Sequence, residues 1–128
     1  MDQIQKAILT IAMGNNMQRI VINKCYGGFG LSLAAGNRLV DLGKRTTNKK
    51  DNTKFSKDSK KWGVSNYDFE GGLERNDPLL VQVVEELGNE ANGSFASLHI
   101  VEIPDEVEWE IEEYDGMEWV SEKHQTWS

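Results

Sequence analysis

Apolar and charged residues alternate from Val107 to Tyr114 and again from Met117 to Glu122, on either side of Asp115-Gly116. A period of two marks a half-buried strand, and Asp-Gly supplies the positive φ values of a type I′ turn. The pattern predicts a hairpin in which Tyr114 pairs with Met117, Ile111 faces Val120, Trp109 faces Glu122 and Glu108 faces Lys123. Upstream, Ile20, Val21 and Ile22 open a buried strand ending at Tyr26, and Gly27-Gly28-Phe29-Gly30 turns the chain. Ser32 then caps a helix with Leu33, Leu39, Val40 and Leu42 on its apolar side, before Gly43 stops it.

Asp77-Pro78 predicts the start of a second helix, with Leu80, Val83, Val84 and Leu87 on one stripe. This helix ends at Gly88 or runs on to Asn92-Gly93. Tyr67 and Phe69 share a face in a weaker strand signal between Trp62 and Gly71. Phe95 to Ile103 is apolar on both faces, which predicts a strand central in its sheet. Ile4, Ala7, Ile8 and Ile11 form one side of a short N-terminal helix over residues 1–16. The elements together predict an α+β fold: a small mixed or antiparallel sheet with a C-terminal β-hairpin and two or three helices on one face.

A length of 128 residues suits a single domain, here placed at 17–128 behind the leader. Cys25 is the lone cysteine, so no intramolecular disulfide forms, in keeping with a reducing cytosol. The leader's apolar run is too short for a membrane span, and Asp2 and Lys6 argue against a signal peptide.

Charge changes the picture most. The net charge is −7, yet eight of the fourteen basic residues lie in 44–61, whereas ten acids and one lysine lie from residue 100 onward. The basic stretch is rich in Asn, Ser and Thr and reads as a solvated loop. Nucleic-acid binding through it, with Phe55 and Trp62 as stacking rings, is the sharper alternative, disfavoured by the overall negative charge. Glu108, Glu110 and Glu112 form an acidic row with Trp119 opposite Glu112, and Glu122, opposite Trp109, completes the candidate partner residues. Solvated edge strand is its plain reading; a partner-binding surface anchored by an exposed tryptophan is the functional one.

Gly27, Gly28, Phe29, Gly30 and Ser32 are the candidate ligand site, because backbone N–H groups leading into a helix can hold a phosphate or carboxylate. The loop lacks the Lys-Ser/Thr ending of a P-loop and the full dinucleotide fingerprint, and a tight turn needs those glycines in any case. Cys25 with His99 or His124 lacks an orienting third residue, so no catalytic residues are assigned. Neither a metal site nor a cofactor is indicated.

The segments IVINKCYGGFGLS, ERNDPLLVQVVEELG, ANG and VEIPDEVEWEIEEYDGMEWVSEKHQTW resemble a family of small proteins encoded by bacteriophages and prophages. The likeness spans roughly 17–36 and 73–127; the leader and segment 44–61 depart from the compact family pattern. The family brings no activity to transfer to particular residues. What the resemblance implies is a setting: an accessory protein acting in the bacterial cytoplasm. The concentration of carboxylates and tryptophans, without catalytic combinations, adds the expected mode of action: binding a host or phage protein, as in host takeover or anti-defence. The alternative is a binder, or less readily an enzyme, of a phosphorylated small molecule or nucleotide at the glycine loop. Self-association to a homodimer, through the N-terminal helix or a sheet edge, is also expected, since so short an apolar helix must bury its stripe.

Overall fold

A computed structural model of the chain describes residues 17–47, 54–57, 60 and 63–123. The helix predicted over residues 1–16, Trp62, His124 and Trp127 therefore lie outside the described residues. The elements are β1 (Met17–Asn23), α1 (Leu33–Asp41), α2 (Pro78–Leu87), β2 (Leu98–Pro104), β3 (Trp109–Tyr114) and β4 (Met117–Glu122), with 3-10 turns at Asn66–Asp68 and Gly88–Ala91. The fold is mixed α+β, built on two antiparallel sheets of two strands each, and it ends in the hairpin.

Three successive β-branched residues make β1 the strand around which the rest is arranged. Val21 joins the main core, while Ile20 and Ile22 alternate to its other face and are just as deeply buried. Both faces of this strand are covered. β1 pairs with β2 in the register Met17↔Pro104 to Asn23↔Leu98. The core gathers Val21 with Leu31, Leu39, Val64, Phe69, Leu80 and Val83, bringing β1, both helices and the intervening loops together. Each such side chain, fully withdrawn from water, contributes about 1.5–3 kcal/mol.

The helices begin where their caps require. The Ser32 hydroxyl accepts from the Ala35 amide, and the Asp77 carboxylate accepts from the Leu79 amide with Pro78 in the first turn. Gly88 ends α2, and the chain continues as a 3-10 turn instead of extending the helix to Asn92.

Two expectations are corrected. Segment 63–69 is not a strand. Ser65 and Asp68 close a capping box around a 3-10 turn, leaving Val64 and Phe69 in isolated bridges to Leu31 and Thr46. Tyr67 and Phe69 consequently part company, Tyr67 at 80% exposure and Phe69 at 1%. The second correction concerns Phe95 to Ile103. The strand starts at Leu98, Phe95 is exposed, and among the described residues β2 pairs with β1 alone, so it is not central. Leu98 and Ile100 are half-buried against the main core, and Val101 and Ile103 on the other face are half-buried as well.

Candidate functional site

The hairpin adopts the expected register throughout, from Trp109↔Glu122 to Tyr114↔Met117, and the Lys123 amide donates to the Glu108 carbonyl at 2.9 Å. Asp115 and Gly116 take φ values of 50° and 91°, as the turn demands. Directly opposed residues share a face, so Trp109, Ile111, Val120 and Glu118 lie on one side. Glu110, Glu112, Tyr114, Ser121, Trp119 and Met117 lie on the other. Trp109 is half-buried, and its indole N–H donates to the Gln18 side-chain oxygen at 2.8 Å, pinning the hairpin to β1.

The outer face carries the predicted partner residues. Glu108, Glu110 and Glu112 are exposed, Trp119 is 41% exposed, and Tyr114 is 66% exposed. The Trp119 indole N–H donates to Glu112 Oε2 at 2.9 Å, which fixes the ring beside the carboxylate. Glu122 is exposed too, but it stands opposite Trp109 on the other face, so it does not join this row.

A second cluster, unforeseen from the sequence, locks the hairpin to the body. Arg75 donates to both oxygens of Glu118, at 2.6 and 2.8 Å, while the Asn23 amide donates to Glu118 Oε1 at 2.8 Å. The Arg75 guanidinium lies 3.7 Å from the centroid of the Phe29 ring. Asn23, fully buried, donates through its side chain to the Cys25 and Gly116 carbonyls and accepts from the Ser97 amide. The partners thus come from four separate stretches of chain. Glu118 is a single acid among ten in its region, and no local pattern distinguishes it. The one available signal was its position: Glu118 falls on the inward phase of the strand alternation, where a carboxylate needs a cation.

This junction also explains part of the glycine loop. A Cβ at Gly116 would fall on the Gly28 amide and the Tyr26 carbonyl, and one at Gly27 would fall on Phe95. Those glycines allow the loop, the hairpin tip and the 94–97 turn to approach closely. Phe29 is the ring beneath Arg75, and the Gly30 carbonyl accepts from the Gly93 amide. Ser32 stands apart from them. Besides capping α1 it donates to the Glu90 carbonyl, and it lines a cavity of about 430 Å³ with Leu33, Lys57, Lys60, Gly63, Asn92 and Ser94.

Four cations of the basic stretch are ion-paired with acids elsewhere in the fold. Lys44 pairs with Asp77, Arg45 with Glu70, Lys54 with Asp41, and Lys60 with Asp68. Between the helices, Arg38 pairs with Glu86 at 3.0 Å. That hydrogen bond, with a second from Gln82, holds the Glu86 carboxyl below its ordinary value and raises Arg38.

Cys25 is half-buried, and the exposed His99 ring meets the Ser97 hydroxyl at 3.4 Å. Among the described residues no group of His, Cys, Asp or Glu could hold a metal ion, and no helix is long and apolar enough to cross a membrane. No family model matches this chain, and no curated protein or solved structure is similar to it.

Proposed function

We propose that this chain is an accessory protein of the phage or prophage type, acting in the bacterial cytoplasm by binding a host or phage protein through the outer face of its hairpin. The observation that carries the reading is the contrast between the hairpin's two faces. One is tied to the body through Trp109 and Glu118; the other holds Glu110, Glu112, Tyr114 and Trp119 in solvent. Exposed aromatics in a charged frame suit an interface anchor, and the frame selects a basic partner. Affinity capture from infected or lysogenic cells tests this reading. Wild type retains a partner in low salt, and replacement of Glu108, Glu110 and Glu112 by Gln removes it. Equal recovery with both proteins reduces the acidic row to a solvated strand.

A second reading, a phosphorylated small molecule or nucleotide held near the glycine loop, draws on the cavity that Ser32 shares with Lys57 and Lys60. Of the candidate loop residues Ser32 lines this cavity, whereas Gly27 packs against Phe95 and the Gly28 backbone is approached by Gly116. A ligand supplied at a hundred times its dissociation constant stabilises the fold by about 2.7 kcal/mol, enough to register in a thermal-shift screen of nucleotides and sugar phosphates. A flat response across that screen removes this reading.

A further inference from the structure

We propose that the outer face of the hairpin recognises arginine, in a segment of the partner that presents a guanidinium to Trp119 and the carboxylates of Glu110 and Glu112. The proposal rests on the reading of this face as the partner surface and specifies the chemistry it accepts.

The molecule already contains one such arrangement. In the interior junction, the Arg75 guanidinium lies 3.7 Å from the Phe29 ring centroid while its two terminal nitrogens grip the Glu118 carboxylate. One residue further along the same strand, the pleat turns to the outer face. There Trp119 supplies a ring and Glu112 a carboxylate at hydrogen-bond distance from it. Glu110 lies two positions along β3 on the same side, opposite Ser121. Among the described residues no lysine or arginine forms an ion pair with Glu110 or Glu112. The inner face thus has ring, carboxylate and arginine; the outer has the first two and faces solvent.

Arginine is selected over lysine on physical grounds. A guanidinium is planar, so one side can lie on the indole while its edge N–H groups point toward a carboxylate; an ammonium is a compact, strongly hydrated charge that cannot do both as well. The indole N–H is engaged by Glu112 and contributes no competing donor toward the cation. Tyr114, exposed at the end of the row, extends the aromatic surface toward the turn.

The test titrates the full-length protein with two synthetic peptides of equal length and charge, an Arg-Gly repeat and a Lys-Gly repeat. Dissociation constants are measured together with the Trp119 indole N–H resonance, assigned by its disappearance in Trp119→Leu. The arginine peptide is expected to bind about five-fold more tightly, the worth of one cation–π contact at an exposed site, and to shift the Trp119 signal. Trp119→Leu and Glu112→Gln, both at exposed positions, should keep the fold and erase that preference while leaving the weaker, salt-dependent binding. Equal affinity for the two peptides, lost together in the Glu108, Glu110 and Glu112 to Gln protein, overturns arginine selectivity and leaves the cationic partner face standing. A preference that survives Trp119→Leu places recognition elsewhere and also overturns the proposal. Absence of binding by either peptide defeats both the proposal and the reading beneath it.

Discussion

Glu112 and Glu118 lie on opposite strands of one hairpin and have the same side chain, yet their settings give them opposite roles. Glu118 is 7% exposed and meets Arg75 and the Asn23 amide; Glu112 faces water beside Trp119. Replacing Glu118 with Gln leaves the Arg75 charge with no carboxylate in a poorly hydrated site, and breaking a pair of this kind costs about 3 kcal/mol. Replacing Glu112 with Gln should change stability by less than about 0.5 kcal/mol, as at most exposed sites. Urea unfolding of the two variants beside wild type checks the contrast. Similar midpoints for both would mean that the junction is not what holds the hairpin down.

At the scale of elements, legibility followed locality. The hairpin was readable because alternation and Asp115-Gly116 act over neighbouring residues, and Ser32 and Asp77 announced their helices for the same reason. Segment 62–69 misled because its aromatic spacing mimics a strand, whereas the Ser65–Asp68 capping box sets the backbone instead. The Arg75–Glu118 pair was illegible, since the two residues are 43 positions apart and become neighbours only once the sheet and loops are assembled. The outer carboxylates and Trp119 are exposed as strand phase alone predicts, and Glu122, exposed too, lies on the other face, as its pairing with Trp109 requires. The helix pair supplies a pH test. Glu86 titrates below its ordinary 4.5, first because Arg38 donates to it and then because Gln82 does. A depressed carboxyl stabilises the fold above its unfolded value, and that contribution is lost as pH falls through the folded value. The melting temperature of wild type should therefore exceed that of Glu86→Gln at neutral pH and converge with it on acidification past 4.5. A gap independent of pH would assign the effect to packing.

For the whole molecule, four cations of the 44–61 stretch are ion-paired while Glu108, Glu110, Glu112 and Glu122 of the hairpin face solvent, in keeping with the net charge of −7. Assembly is the remaining question at this scale. The apolar stripe predicted for Ile4, Ile8 and Ile11 precedes Met17 in sequence, and Met17 lines a groove of about 390 Å³ with Arg19, Pro78 and Val81. We expect the full chain to form a dimer that dissociates when residues 1–16 are removed; light scattering on both chains decides it, and a full-length monomer at high micromolar concentration defeats it. The other end of β1 is closed to such association. The Val21 amide donates to the Arg75 carbonyl at 2.8 Å and the Asn23 amide to Glu118, so the outward donors of that edge are engaged without a third strand. Glu118 consequently has a protective duty beyond its attachment of the hairpin. It occupies a backbone donor at the edge of β1 that would otherwise be open to pairing with a foreign strand.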